Sequence, residues 1–252
     1  MRLKDKVALI TGGGTGIGKG IALAYADEGA AVVVAARDVS RLEDTVKQIQ
    51  AKGGKAKAVK VDIGEPEQVK NLISETANAF GKLDILVNNA AIWAGLNGAP
   101  WDSWTPEDWD RMFKINVRGN WLCCKEAAPL MTKQGKGKII NIASDIARVP
   151  AAAFFLPYAC SKGAVYTLTQ AMAWALGGSM INVNAIAPGY VTTEASLAQQ
   201  GSDQTFELAT GGQAIHRREN VSDLTGAAVF LASDESDFVT GQVLFVSATP
   251  MP

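Results

Sequence analysis

Tyr158 and Lys162 stand four residues apart in the run Tyr158-Ala159-Cys160-Ser161-Lys162. On a helix that spacing puts a phenol and an ammonium on one face, within reach of a shared ligand. A phenol ordinarily loses its proton near pH 10, too high for a base at neutral pH. Each unit of depression corresponds to about 1.4 kcal/mol, so the ammonium and one further positive charge need supply only about 4 kcal/mol to bring it near 7. Ser144 ends the apolar run Ile139–Ala143 and offers a hydroxyl that can bond a substrate oxygen and steady charge developing on it. Such a trio suits proton transfer at a substrate oxygen. Taken singly, each residue has an equally good structural explanation.

A second set of residues lies near the start of the chain. Thr11-Gly12-Gly13-Gly14-Thr15-Gly16-Ile17-Gly18 follows an apolar run and leads into a helical pattern at Lys19. Glycines let backbone amides approach a pyrophosphate, and the positive end of the helix favours its charge. Gly13-x-x-x-x-Gly18-Lys19 is also most of a nucleotide-triphosphate loop, but Gly20 stands where a magnesium-binding hydroxyl would be needed. The spacing departs from G-x-G-x-x-G as well. Ala35-Ala36-Arg37 ends the second apolar run, where NAD-binding folds place an acid on the ribose 2′-hydroxyl. Arg37 can instead fork onto a 2′-phosphate or stack on adenine, which favours NADP(H) over NAD(H). The competing reading is a solvated charge paired with Asp38 or Glu43.

These residues need elements to hold them, and the chain supplies strand-like and helix-like stretches in alternation. Val7–Ile10, Val32–Ala35, Ala58–Val61, Ile85–Asn88, Lys138–Ile142, Asn182–Ala187 and Val243–Val246 are runs of strand length. Between them, Gly18–Asp27, Ser40–Lys52, Glu65–Phe80, Thr105–Met131, Tyr158–Leu176 and Val221–Ala232 carry helical period. Thr105-Pro106 with Asp108 predicts a capped helix start. The alternation predicts a doubly wound, seven-stranded parallel sheet with helices on both faces, an α/β fold with a single domain over residues 1–252. Trp93–Trp104 and Thr193–His216 break the rhythm and read as loops or short helices beyond strand ends, where open α/β sheets bind ligands.

Composition narrows the classes. The 252 residues include 24 basic and 25 acidic side chains, a formal charge of −1, so no positive excess is available for a nucleic-acid backbone or an anionic membrane. Three cysteines, Cys123, Cys124 and Cys160, fit a reducing compartment, and a cytoplasmic protein is expected. His216 is the only histidine, which argues against a multi-histidine metal site and leaves one candidate base for a hydrolytic triad without a G-x-S-x-G elbow. No metal is expected.

In order along the chain, Thr11–Gly18, Asp62, Asn88-Asn89-Ala90-Ala91, Asn116, Ser144, Tyr158/Lys162 and Pro188-Gly189…Thr193 resemble the motifs of the short-chain dehydrogenase/reductase family over nearly the whole length. The resemblance implies a Rossmann fold in which Tyr158 is the general acid/base, Lys162 lowers its pKa and holds the nicotinamide ribose, and Ser144 polarises the carbonyl. It implies that Asn116 anchors a water relaying protons to Lys162. Gly12, Gly14, Thr15, Gly16, Ile17 and Gly18 would serve the pyrophosphate, Asp62 and Ile63 the adenine, and Asn89, Ala90 and Ala91 the adenosine ribose. Pro188, Gly189, Val191 and Thr193 would hold the carboxamide. Ser144 precedes Tyr158 by 14 residues, a usual separation in such enzymes.

Three departures stand out: Ala91 in place of a common glycine, the ending Val246-Ser247-Ala248-Thr249-Pro250 where many relatives read Val-Asp-Gly-Gly, and Gly178-Ser179 where carrier-protein reductases often carry a basic residue. The last argues against an acyl-carrier substrate. Asn184–Ala195 and Asp223–Ser233 are most similar to bacterial secondary alcohol dehydrogenases. The apolar segment Asp145–Pro157 and the rings of Trp93, Phe154, Phe155 and Tyr190, with Ser144, outline a pocket for a hydrophobic or aromatic ketone or secondary alcohol. Trp109, Trp121 and Trp174 are expected in the core or a subunit interface. The family resemblance implies a homotetramer through the helices carrying Asn116 and Tyr158, with Ala164, Ala171 and Ala175 permitting close packing. The alternatives are a 3-oxoacyl-thioester reductase, a sugar or polyol dehydrogenase, a sugar-nucleotide epimerase and a non-catalytic NAD(P) sensor.

Overall fold

The computed structural model describes residues 1–93, 96–199 and 201–250. In chain order its main elements are β1 (Val7–Thr11), α1 (Gly16–Asp27), β2 (Ala31–Ala36), α2 (Val39–Ala51), β3 (Ala56–Lys60), α3 (Pro66–Phe80) and β4 (Ile85–Asn88). Then come α4 (Pro106–Phe113), α5 (Asn120–Gln134), β5 (Gly137–Ile142), α6 (Leu156–Leu176) and β6 (Ile181–Pro188). The chain continues through β7 (Val191–Thr192), α7 (Glu194–Leu197), α8 (Ser202–Gly211), β8 (Glu219–Asn220), α9 (Val221–Ala232) and β9 (Val243–Val246).

Adjacent residues on the strands face opposite cores, which is why the strands read as unbroken apolar runs rather than alternating ones. Ile10, Val34, Val87, Ile140 and Ile186 pack with Ile21 and Tyr25 of α1 and Leu224 and Ala228 of α9. On the other face Leu9, Val33, Leu86, Ile139 and Val183 pack with Leu72 of α3 and Leu122 and Met131 of α5. Each fully buried Leu or Ile contributes about 1.5–3 kcal/mol, so both faces are committed to helices. All pairings in the seven-stranded sheet are parallel, in the order β3-β2-β1-β4-β5-β6-β9. The chain winds outward from β1 to β3 and then returns to place β4 against β1. That reversal opens a crevice at the carboxyl ends of β1 and β4.

Element ends lie within two residues of the sequence expectation, apart from one helix. Thr105 caps α4 as expected, accepting from the Asp108 amide at 3.1 Å while the Thr105 amide donates to Asp108 Oδ2 at 3.2 Å. The single helix expected over Thr105–Met131 is instead α4, a π-helical turn over Lys114–Gly119, and α5. The two irregular segments divide. Residues 96–104 carry turns, whereas α7 and α8 lie within 193–216; Ala94, Gly95 and Gln200 of these loops lie outside the described residues. Trp109, Trp121 and Trp174 are not core residues, being 37%, 42% and 90% exposed.

Candidate active site

The glycine turn is held from the side by β4. The Thr11 hydroxyl accepts from the amides of Asn89 at 3.0 Å and Ala90 at 3.1 Å. The Asn89 side chain donates back to the carbonyls of Thr11 at 2.9 Å and Gly12 at 3.2 Å. A Cβ at Gly18 would lie 2.3 Å from the Gly12 carbonyl oxygen and 2.4 Å from Asn89 Nδ2, so only glycine lets α1 approach this closely. Gly18 is therefore a packing residue and does not line the cleft, contrary to expectation, while Gly12, Gly14, Thr15, Gly16 and Ile17 do. Gly16 has φ +52°, and its amide points into the crevice.

That amide donates to Glu194 Oε2 at 3.0 Å. The first amides of a helix carry partial positive charge and take an anion. The cleft, about 890 Å³, runs from this turn to Tyr158. Arg37 lines one end. Asp38 accepts from Ser40 and pairs with Arg41 at 3.2 Å, so among the described residues Arg37 has no ion pair, and the alternative pairing with Asp38 or Glu43 is not formed. Arg41 also lines the cleft and escaped the sequence reading, although a second arginine four residues on, in the first turns of the next helix, was a readable signal. Asp62, Ile63, Ala90 and Ala91 form the wall between these ends.

At the other end the catalytic candidates converge. α6 begins just beyond Phe155, and its first turns bury Tyr158 and Lys162, which are 8% and 2% exposed. Lys162 Nζ donates to the Ile142 carbonyl at 2.7 Å and lies 5.7 Å from the Tyr158 ring centre. Burial lowers the Lys162 ammonium to about 8. Burial also raises the Tyr158 phenol well above its usual value, the Asp145 charge adds to the rise, and the nearby Ser144 hydroxyl pulls the other way. The expected depression of the phenol is thus reversed here: Lys162 is turned to a carbonyl, and desolvation dominates. Ser144 Oγ accepts from the Ile146 amide at 3.2 Å and donates to the Pro188 carbonyl at 3.5 Å.

Asn116 lies behind the site. It sits in the π-helical turn, outside the cleft lining, and its side chain is fully committed. Oδ1 accepts from the Ile92 amide at 2.8 Å, and Nδ2 donates to Ser161 Oγ at 3.0 Å. Ser161 Oγ in turn donates to the Tyr158 carbonyl at 2.7 Å, so Asn116 braces the turn that carries Tyr158.

The aromatic pocket is narrower than the sequence implied. Trp93 lies 4.9 Å from the Tyr158 ring and 6.1 Å from Tyr190, and these three line the cleft. Phe155 stands behind Trp93 at 5.7 Å, and Phe154 is 60% exposed; neither lines the cleft. Gln199 ties the two substrate-side loops together, accepting from the Tyr190 hydroxyl at 2.7 Å and donating to the Leu96 carbonyl at 3.0 Å. Pro188, Gly189, Val191 and Thr193 line the opposite wall. Of the expected segment Asp145–Pro157, Asp145 and Ile146 line the substrate end, and Ile92, which the sequence reading missed, lines it with them. His216 contacts the Thr210 carbonyl at 3.2 Å and does not line the cleft, so it forms no triad with Ser144. Among the described residues no three His, Cys, Asp or Glu side chains form a metal cluster, and no helix is long and apolar enough to cross a membrane.

A doubly wound sheet with a glycine turn at its switch point and Ser, Tyr and Lys at the far end defines a dinucleotide-dependent oxidoreductase fold. The family model described as enoyl-(acyl carrier protein) reductase matches residues 12–248. Galactitol 2-dehydrogenase of Agrobacterium fabrum is 40% identical, over 96% of this chain and 96% of its own. The crystal structure of a short-chain type dehydrogenase/reductase from Mycobacterium marinum is 35% identical and superposes with a TM-score of 0.91, over 98% of this chain and 95% of that one. A 3-oxoacyl (acyl-carrier-protein) reductase from Agrobacterium tumefaciens, solved with NADP bound, is 28% identical with a TM-score of 0.89, over 98% of this chain and 95% of that one. The chain belongs to the short-chain dehydrogenase/reductase family of oxidoreductases and uses an NAD(P) cofactor.

Proposed function

We propose that the protein interconverts a ketone and a secondary alcohol, with NADP(H) preferred over NAD(H), as one cofactor-binding domain. The observation that carries this reading is the convergence of Ser144, Tyr158 and Lys162 at one end of a cleft whose other end holds Arg37 and the α1 amides. The residues fit the cofactor. The Gly16 amide already accommodates an anionic oxygen at 3.0 Å, and Arg37, without an ion pair among the described residues, offers a guanidinium fork. When bound, a nicotinamide nucleotide supplies the hydride acceptor or donor.

Tyr158 moves the proton, Ser144 bonds the substrate oxygen, and Lys162 holds positive charge behind the phenol. Burial makes this work. In a site where Tyr158 is 8% exposed, each added positive charge favours phenolate far more than it would in water. Trp93 and Tyr190 give the substrate an apolar wall. A homotetramer accounts for the exposed Trp121 and Trp174.

Turnover of a ketone panel, followed by nicotinamide absorbance, tests the reading. Tyr158→Phe should reduce kcat at least about 10³-fold while cofactor Kd changes little. Retained turnover in that variant would overturn the role given to Tyr158, and failure of the native protein to turn over any ketone or alcohol would overturn the activity.

A further inference from the structure

Resting on the activity proposed above, the geometry points to Asp145 as the specificity-determining residue of the substrate pocket: its carboxylate holds a hydroxyl on the carbon next to the reacting one, so the substrate class is vicinal diols and α-hydroxy ketones. Asp145 directly follows Ser144 and opens the short helical turn Asp145–Arg148, which aims its side chain into the cleft. It is 8% exposed, more buried than most aspartates in any fold. Oδ2 accepts from Ser247 Oγ at 2.7 Å. Oδ1 accepts no hydrogen bond among the described residues, and it is not among the polar atoms sealed from solvent. One oxygen is thus fixed by the fold and the other is presented to the cleft.

Ile92, Trp93, Ile146 and the Tyr190 ring give the pocket an apolar wall. A carboxylate left there without a donor carries a desolvation cost, and burial does raise the Asp145 pKa. A second acid reinforces the demand. A Cβ placed on Gly189 would lie 2.8 Å from Glu219 Oε2, 3.1 Å from Ser247 Oγ and 3.2 Å from Asp145 Oδ2, so two carboxyls and a hydroxyl surround that bare glycine. Among the described residues Glu219 makes no hydrogen bond to Asp145; its Oε2 accepts from the Gly189 amide at 2.9 Å, and its Oε1 is buried without a partner.

The donor that fits is a neutral hydroxyl. Loss of hydride leaves the reacting carbon electron-poor, and an ammonium one carbon away would oppose that change, whereas a hydroxyl held by a carboxylate does not. Asp145 lines the same cleft as Ser144 and lies near enough to Tyr158 for its charge to act on the phenol, so the carboxyl serves the position beside the carbonyl that Ser144 bonds. A site built to bond a hydroxyl rejects the analogue lacking it, because the buried acceptor is then left empty.

Paired substrates test this. The native protein should oxidise 2,3-butanediol with a kcat/KM at least about 30-fold above that for 2-butanol. In Asp145→Val that ratio should fall at least tenfold, and Asp145→Asn, nearly the same in shape, guards against a folding defect and should give an intermediate ratio. Without turnover, the cofactor-loaded Tyr158→Phe protein should gain thermal protection from the diol, and Tyr158→Phe/Asp145→Val should not. Equal native rates on the pair, a ratio unchanged in Asp145→Val, or a preference for 3-amino-2-butanol would overturn the assignment while leaving the oxidoreductase activity standing. No turnover of any alcohol or ketone would instead overturn the activity, and this assignment with it.

Discussion

Replacing Arg37 by aspartate should invert the cofactor preference. Arg37 follows the last residue of β2, lines the cleft and has no ion pair among the described residues, since Asp38 is already held by Ser40 and Arg41. A guanidinium fork on a dianionic phosphate makes charge-assisted hydrogen bonds that contribute about 1.5–3 kcal/mol in favourable geometry. Arg37 is exposed and the contact is screened, so the lower part of that range applies, about 10- to 50-fold in Kd. The aspartate adds repulsion of its own against the 2′-phosphate, whereas toward NAD(H) it can accept from the free ribose hydroxyl. The ratio of NADP⁺ to NAD⁺ affinity should therefore fall by about 10²-fold or more, measured by calorimetric titration at two ionic strengths. Salt should weaken NADP⁺ binding to the native protein and leave NAD⁺ nearly unaffected. Equal losses for the two nucleotides would refute the phosphate assignment.

Glu194→Gln removes an anion that sits 3.0 Å from the Gly16 amide, where the cofactor phosphates belong. With one charge pair in water contributing about 1 kcal/mol at contact, cofactor Kd should tighten about three- to tenfold, and calorimetric titration showing weaker binding would count against it. Glu219 has its carboxyl raised to about 7 by burial and by the nearby Asp145. The folded state then binds more protons than the unfolded state between the ordinary carboxyl pKa and about 7, so stability falls as pH rises through that window. Glu219→Gln should flatten this decline in Tm between pH 5 and about 7.5; an unchanged slope would show that Glu219 does not titrate there.

Much of this was legible in residue order. Strands buried on both faces leave unbroken apolar runs, and the Tyr158/Lys162 spacing and the glycine turn are local in sequence. What escaped was either a matter of phase or of distance. The π-helical turn at Asn116 adds a single residue to an otherwise continuous helical pattern, which periodicity does not resolve. Phe154 and Trp174 are apolar by type and exposed by position, because hydrophobicity alone does not fix which way a short turn or an outer helix face points. Asp145 meets Ser247 across 102 residues, and Glu219 reaches Gly189 across 30. No local signature announces such meetings; they arise because β5, β6 and β9 are neighbours in the sheet and β8 pairs with β7 just beyond β6.

Those meetings give the cleft a polarity that follows from topology. Arg37, without an ion pair among the described residues, puts positive charge where β2 ends, while Asp145 and Glu219 gather acids where β5 and β6 end and at β8. A ligand with phosphates at one end and an uncharged or cationic ring at the other lowers its energy in only one direction along such a gradient. The arginine end draws the phosphates, and the two acids repel them from the pocket beside Ser144 and Tyr158. The same acids would favour a positively charged ring near Tyr158, which is the charge the buried phenol needs to lose its proton against the cost of desolvation. Orientation of the cofactor and acidity of the phenol thus depend on one arrangement of charge. Because the Asp145 charge itself raises the Tyr158 phenol, neutralising Asp145 should move the pH profile of kcat/KM to lower pH as well as altering the choice of substrate.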